Sequence, residues 1–188
     1  MPIIKIYPSK RPVRGILQYI TRGDTVPEEL IRTNGCDILD AEQEFSDIAR
    51  YYNKPTGAGN RTYYHMIVSY NTTYEKISPE EVRDMVKDLC QRTKIDCYQW
   101  YLAVHTDRPD HMHAHVVINN VSYRGDRKQH VKAGKSFQST GKLRHELMEK
   151  GNVICKEHGY EHSLVNTKSK AQERLTRAEL ALAARGEI

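Results

Sequence analysis

The chain contains 188 residues, of which 38% are hydrophobic and 28% charged, and its formal net charge is +5. This length and composition predict one domain around one core, and the lack of a long apolar run argues against a membrane-spanning protein. The mild excess of cations suits a partner that carries phosphates.

The cysteines and the amino-terminal segment indicate the cellular compartment. None of the four cysteines has the paired spacing of a redox or metal motif, and the first residues lack the apolar stretch of a secretion signal. We therefore expect a reduced, cytoplasmic protein. The cysteines are Cys36, Cys90, Cys97 and Cys155.

The first part of the chain predicts a strand and two helices. Residues 3–7 form a short apolar run that is typical of an edge strand. From Val13 onward apolar residues recur at helical spacing, and Tyr19 lies beside the centre of that stripe. Asp40 is a good N-cap for a second helix, which should end before the breaker-rich segment 53–60.

The middle of the chain carries the clearest signals of secondary structure. A strand is predicted from Tyr63. Ser78 and Glu81, with proline at the first helical position, form a capping-box pattern that predicts a helix. The runs 98–106 and 113–121 are rich in β-branched and aromatic residues and flank a turn-forming segment. They predict an antiparallel hairpin at the centre of the sheet.

The last part of the chain predicts a helix that stops at Gly159 and another that begins at Thr176. We expect a first domain over residues 1–165, followed by a helical segment over 166–188 that begins a longer carboxyl-terminal region. Together the elements predict an α+β fold in which helices flank a central antiparallel β-sheet.

Four histidines lie within eleven residues around the predicted hairpin turn. Because side chains alternate along a strand, His113 and His115 share one face, and His105 approaches from the partner strand. Three converging imidazoles predict a metal site with open positions, since a structural site would have a complete ligand shell. His111 lies nearest the turn, where a surface role is as well supported as a ligand role.

The surroundings of these histidines bear on the metal and its substrate. Asp107 could orient the ring of His105, or it could cap the turn. Imidazole ligands favour manganese or zinc over magnesium on affinity, and the sequence leaves the metal open. Between residues 122 and 150 eight cations face three anions, which indicates either a solvated loop or a surface for phosphates. A metal beside such a surface suits a phosphodiester substrate.

A tyrosine could attack that substrate in place of water. An ordinary phenol has a pKa near 10, so its ionisation at neutral pH costs roughly 4 kcal/mol unless a metal, a base or nearby cations help. Tyr19 lies between Arg14 and Arg22, which would supply such help. Taken alone, it could equally be a half-buried residue of an amphipathic helix.

Three segments together resemble the motif layout of the MOB-P class of conjugative relaxases, within the HUH endonuclease superfamily. They are "RGILQYI" with Tyr19, "YYHMIVSY", and "HTDRPDHMHAHVVINN" with the histidines. The segments "NGCD", "CKEHGYEHSLV" and "RLTRAELALAARG" resemble relaxases of Gram-positive integrative and conjugative elements, so the resemblance covers most of the chain. The candidate tyrosine precedes the histidines, unlike that of the rolling-circle replication initiators.

The resemblance implies a relaxase domain that makes a site-specific, single-strand nick at a transfer origin. Tyr19 would form a 5′-phosphotyrosine and release a 3′-hydroxyl, while His105, His113 and His115 hold a divalent ion, Mn²⁺ or Mg²⁺. The general base stays open between His65 and a carboxylate such as Asp107.

The resemblance also implies a set of partners. They are single-stranded origin DNA beside a hairpin repeat, accessory relaxosome proteins and a coupling protein. The predicted phosphate contacts are Arg124, Arg127, Lys128, Lys132 and Lys135. Two rival functions are a sequence-specific DNA-binding module with a structural metal, and a three-histidine metallohydrolase that acts on a small phosphate ester.

Overall fold

A five-stranded antiparallel sheet forms the centre of the molecule, and the computed structural model describes residues 3–55, 57, 59–108 and 110–161. The strands are β1 Ile3–Ser9, β2 Ile31–Asn34, β3 Tyr63–Ser69, β4 Tyr98–His105 and β5 His113–Ser122. The helices are α1 Val13–Thr21, α2 Ala41–Tyr51, α3 Pro79–Gln91 and α4 Gly141–Glu157. This architecture confirms the predicted α+β fold.

The strand order is β1-β3-β5-β4-β2, so the predicted hairpin of β4 and β5 occupies the middle of the sheet. The register pairs His105 with His113 and Ala103 with His115. The sequence did not predict β2, because Ile31 is its one apolar residue and four residues are too few to show alternation. This short strand pairs with β4 at one edge.

Two layers of helices bury the two faces of the sheet. Helices α3 and α4 cover the larger core, in which Leu102 and Val116 are fully buried. Helices α1 and α2 cover a smaller cluster that includes Ile20, Phe45 and Val117. Because side chains alternate along β5, its histidines face the layer of α1 and α2.

The helix ends follow the sequence signals closely. The Oγ of Ser78 accepts from the Glu81 amide at 3.2 Å, and the Glu81 carboxylate accepts from the Ser78 amide at 2.8 Å. This capping box begins α3 as predicted. Gly159 follows α4 with a φ of +79°, the conformation of a C′ glycine. Asp40 precedes α2, but its side chain makes no capping hydrogen bond.

Three further expectations concern the rest of the chain. The predicted helix from Thr176 and the segment 166–188 lie outside the described residues. All four cysteines are free thiols. Across the described part of the chain, no helix combines the length and apolar character needed to cross a membrane.

Candidate active site

Three histidines meet at the turn end of the central hairpin. His105 is the last residue of β4, and His113 and His115 are the first and third residues of β5. One ring nitrogen from each lies within 4.8 Å of the other two. His105 and His115 are buried and His113 is half-buried. Among the described residues no further histidine, cysteine or carboxylate joins this ligand cluster.

The hydrogen bonds of His105 and His113 determine which of their nitrogens can bind a metal. The Nε2 of His105 lies 2.8 Å from the carbonyl oxygen of Ile20, and the Nδ1 of His113 lies 3.2 Å from that of His111. A carbonyl only accepts, so both nitrogens carry a hydrogen, and the lone pair of each neutral ring is on the other nitrogen. The candidate ligand atoms are therefore Nδ1 of His105 and Nε2 of His113.

His115 supplies the third candidate atom. Its Nδ1 lies 2.8 Å from the Nε2 of His65. Its Nε2 is buried and has no hydrogen-bond partner among the described residues. A buried polar atom without a partner costs about 1–3 kcal/mol, which a bound cation would recover. If the Nδ1–H donates to His65, the Nε2 lone pair is free, so the donor set fits a divalent metal ion.

Burial favours the neutral form of three imidazoles at this site, those of His65, His105 and His115. It is the main cause that lowers the pKa of His105 and His115, and it lowers the pKa of His65 to about 4. Neighbouring imidazoles lower the pKa of all three further, and the charge of Arg22 acts in the same direction on His105 and His115. Neutral rings are the form that coordinates metals, so the rings of His105 and His115 are in the form that binds a cation.

Tyr19 lies beside the histidine cluster and is accessible. Its ring centroid is 5.6 Å from that of His115 and 6.1 Å from that of His105, with edge-to-face geometry. The side chain is 57% exposed, whereas its neighbour Ile20 is fully buried. The burial of Ile20 fixes the helix, and its carbonyl binds His105 directly. The same turn of α1 therefore positions the phenol and one candidate ligand.

A left-handed turn after α1 places Arg22 at the same site. Arg22 has a φ of +52°, a conformation that is uncommon for residues other than glycine. Its guanidinium lies 3.4 Å from Nδ1 of His105 and 2.9 Å from the carboxylate of Asp107. Asp107 thus pairs with Arg22, whose hydrogen bond lowers the pKa of that carboxyl. The contact that orients His105 is made by the Ile20 carbonyl.

The predicted DNA contacts lie at the far end of β5. Ser122 follows His115 by seven positions, which corresponds to about 23 Å along a strand. Arg124 pairs with Asp96 and lies over the ring of Tyr123, and Lys135 donates to the carbonyl oxygen of His130. Within the described ranges no ion pair engages Arg127, Lys128 or Lys132. The structure therefore does not bring the five basic residues to the histidines.

The sequence identified one feature of the site only in part, the ring of His65, and gave no indication of another, the carbonyl of Ile20. His65 was considered as a base, but the structure places its ring against His115, with centroids 5.0 Å apart. The alternation of β3 could have indicated that His65 faces the same helices. The sequence could not indicate the role of the Ile20 carbonyl, because every residue has a backbone carbonyl. His111 lies exposed in the turn, outside the ligand cluster.

Comparisons with known proteins identify similar chains. The family model "Relaxase: MobA/VirD2-like, nuclease domain" matches residues 19–160. Two Staphylococcus aureus proteins, each named Protein rlx, are 29% and 26% identical over 77% and 80% of this chain. The chain spans 40% of the length of each.

A solved structure supports the fold independently of sequence. It comes from work on the molecular basis of vancomycin resistance transfer in Staphylococcus aureus, and it matches with a TM-score of 0.60 at 11% identity. The match covers 90% of this chain and 99% of the solved chain. At this low identity the likeness concerns the fold alone.

Proposed function

The chain belongs to the MobA/VirD2-like relaxase family, and we propose that it nicks and rejoins one DNA strand at a transfer origin through a phosphotyrosine on Tyr19. The family match confirms the resemblance to relaxases. The observation that supports the chemistry is the position of the accessible Tyr19 ring, whose centroid lies 5.6 Å from that of His115. The buried Nε2 of His115 has no hydrogen-bond partner among the described residues.

The proposed reaction exchanges one phosphodiester for another. The phenolic oxygen of Tyr19 forms a bond to phosphorus while the bond from phosphorus to the 3′-oxygen breaks. The phenol loses its proton, and the departing 3′-oxygen gains one. No water and no ATP are consumed, so the reverse reaction rejoins the strand. The exposure of Tyr19 gives its proton a direct path to solvent.

The residues around Tyr19 have separate roles in this proposal. His105, His113 and His115 would hold the divalent ion, which supplies Lewis-acid polarisation of a phosphoryl oxygen when bound. His65, whose Nε2 lies 2.8 Å from Nδ1 of His115, would orient that ring by accepting its Nδ1–H. Arg22 donates towards the same lone pair of His105 that a metal would use. When that lone pair is occupied, the guanidinium of Arg22 is available for the scissile phosphate.

The open character of the cluster favours catalysis over its rivals. A structural zinc site has four protein ligands, whereas three ring nitrogens form this cluster in the described part of the chain. A small-ester hydrolase would not need an accessible tyrosine next to its ligands. For the whole relaxase, the proposal also includes three partners. They are origin DNA with a hairpin repeat, accessory proteins and a coupling protein.

The direct test is covalent trapping. The protein is incubated with Mn²⁺ and single-stranded oligonucleotides that carry candidate transfer-origin sequences, and the products are separated on a denaturing gel. We expect a protein–DNA adduct that Tyr19→Phe abolishes. Tyr51→Phe, which alters another exposed tyrosine on α2, is the matched control and should leave the adduct intact.

The other outcomes identify the rivals. A DNA-binding module would shift the oligonucleotide on a native gel and form no adduct. A hydrolase would cut the oligonucleotide and retain none of it. An adduct of undiminished yield with Tyr19→Phe would contradict the assignment of the nucleophile.

A further inference from the structure

Helix α1 ends in a backbone conformation that an arginine does not favour. Arg22, Gly23 and Asp24 have consecutive positive φ angles of +52°, +61° and +66°. The amide of Arg22 donates to the carbonyl oxygen of Tyr19 at 3.2 Å. The amide of Gly23 donates to the carbonyl oxygen of Gln18 at 3.0 Å. Helices that end with this pair of hydrogen bonds usually have glycine at the position of Arg22, so the arginine indicates a role for its side chain.

The side chain of Arg22 bridges the histidine cluster and the hairpin turn. One guanidinium nitrogen, Nη2, lies 3.4 Å from Nδ1 of His105 and 2.9 Å from Oδ1 of Asp107. The Nδ1 carries the lone pair of the ring, because Nε2 of His105 donates to the carbonyl oxygen of Ile20. Nη2 has two hydrogens, one for the ring and one for the carboxylate. Asp107 therefore holds Arg22 against a candidate ligand atom.

The guanidinium and a divalent ion cannot both use Nδ1 of His105. A histidine nitrogen binds a metal at about 2 Å, which is shorter than the 3.4 Å between this nitrogen and Nη2 of Arg22. An ion on the same lone pair would lie closer to the guanidinium than a normal contact allows. The two positive charges would also repel each other. Metal binding at His105 therefore requires the guanidinium to leave.

The guanidinium can leave without disturbing the core. The side chains of Arg22 and Asp107 are 42% and 40% exposed, so the guanidinium can rotate towards solvent. The backbone of Arg22 lies one helical turn from Tyr19, because its amide donates to the Tyr19 carbonyl oxygen. A phosphate next to the Tyr19 phenol is therefore within reach of the released guanidinium. Arginine binds phosphate oxygens strongly through paired hydrogen bonds.

We propose that Arg22 is a built-in competitor for the metal site at His105, and that its release couples metal binding to phosphate binding. In the metal-free protein the guanidinium occupies His105. When a divalent ion takes Nδ1, Arg22 moves to a phosphate at the site, which keeps it from returning. Each ligand then raises the affinity of the other, because such coupling is reciprocal. The identity of this phosphate as the scissile one rests on the proposed relaxase function, whereas the competition rests on the contacts of Arg22.

The competition is tested by the Mn²⁺ affinity of the full chain without DNA, measured by calorimetry. Arg22→Gln removes the competitor and should raise the affinity about 10-fold, the effect expected of one hydrogen bond from a charged group. Arg11→Gln removes the same charge from an exposed position before α1 and should bind Mn²⁺ as wild type does. The effect of Arg22→Gln should persist in about 1 M salt, which screens charges beyond about 3 Å.

The coupling is tested with dimethyl phosphate, a diester that has neither base nor sugar. We expect it to raise the Mn²⁺ affinity of the wild type relative to the same concentration of sodium chloride. A metal can bind the diester directly, so part of this rise should remain in Arg22→Gln. The part that depends on Arg22 should be lost, which makes the rise several-fold larger in the wild type than in the variant.

Two further measurements report the movement and the fold. The guanidinium nitrogen signals of Arg22, identified by their absence from the spectrum of Arg22→Gln, should shift when diamagnetic Zn²⁺ is added to the wild type. Arg22→Gly introduces the residue that a φ of +52° favours. Its melting temperature should be no lower than that of the wild type, and its Mn²⁺ affinity should rise as in Arg22→Gln.

The outcomes separate this inference from the proposed function. Unchanged Mn²⁺ affinity in both Arg22 variants would overturn it, as would equal coupling in wild type and Arg22→Gln or Arg22 signals that Zn²⁺ does not shift. Absence of Mn²⁺ binding in the wild type and both variants would overturn it together with the metal assignment. If the competition were observed but no Tyr19 adduct formed, the role of Arg22 at the metal site would stand and nicking would not. An adduct with unchanged affinities would leave nicking without this competitor.

Discussion

The two ends of β5 differ in how far the protein has arranged their polar groups. At the histidine end, around His113 and His115, each ring has a defined hydrogen-bond partner on one nitrogen, and the other nitrogen of each ring points into the cluster. At the basic end, residues 122–140, some cations are held by the fold and others have no ion-pair partner among the described residues. The first is a preorganised site, and the second is a charged surface.

This difference indicates that bond breaking and DNA affinity can be separated by mutation. Chemistry requires positions defined to within fractions of an ångström, so one altered group at the histidine end should abolish it. Attraction between cations and phosphates is additive and long-ranged, so each altered group at the basic end should remove only a share of the affinity for DNA. About 23 Å of strand lies between the two ends, which limits direct coupling.

The largest expected effect is that of a missing ligand. His115→Ala removes the buried nitrogen that lacks a partner, so we expect Mn²⁺ binding measured by calorimetry to be lost and adduct formation to fall more than about 100-fold. Binding of single-stranded DNA, measured by fluorescence anisotropy, should change much less. A variant that nicks normally in chelator-treated buffer would contradict the ligand assignment.

A smaller effect is expected from the residue that supports this ligand. His65→Ala removes the ring nitrogen that lies 2.8 Å from Nδ1 of His115, and such supporting contacts are typically worth about 10- to 100-fold in metal affinity. Excess Mn²⁺ should restore much of the adduct yield. His111→Ala, an exposed histidine in the same turn, is the control and should retain wild-type affinity.

At the basic end the expected effect is smaller and depends on salt. Exchanging Lys128 and Lys132 together for glutamine should weaken binding of single-stranded DNA several-fold at low salt. If both contact phosphates, the slope of log affinity against log salt should fall by about 1.4. The adduct rate at saturating DNA should be unchanged. An unaltered slope would show that these lysines do not contact the strand.

Arg124 offers a contrast within the basic end. It pairs with Asp96 and donates to that residue's carbonyl oxygen, so Arg124→Gln should lower the melting temperature as well as the affinity. The lysine pair should leave the melting temperature unchanged. The comparison separates cations that the fold uses from cations that remain for DNA.

The smallest expected effect is a pH dependence of stability in the metal-free protein. Burial lowers the pKa of His65 from 6.5 to about 4, so the unfolded chain binds more protons than the folded chain between those values. Stability is therefore complete above pH 6.5 and decreases as the pH falls towards 4. Melting temperatures of chelator-treated protein should fall between pH 7 and 5, and His65→Ala should reduce that fall. A melting temperature that rises on acidification would contradict this account.

The sequence predicted the elements whose signals are local. The capping box at Ser78, the glycine after α4 and the central hairpin need only neighbouring residues, and the structure confirms them. The convergence of His105, His113 and His115 followed from strand alternation, and the structure brings the three together. Their catalytic roles remain predictions.

Contacts between distant segments could not be predicted in the same way. The hydrogen bond from His105 to Ile20 joins residues 85 positions apart, and nothing in either residue type indicates it. The basic segment was expected near the histidines because it follows them in sequence, yet an extended strand carries it to the other end of the sheet. Proximity along the chain was misleading here because β5 is ten residues long.

The central claim is that three imidazoles hold one divalent ion next to Tyr19. Anomalous diffraction from crystals soaked in Mn²⁺ tests it most directly, because the metal is located without reference to activity. We predict one strong peak bound by Nδ1 of His105, Nε2 of His113 and Nε2 of His115. A peak held instead by carboxylates such as Asp107, with the three rings uncoordinated, would contradict the account.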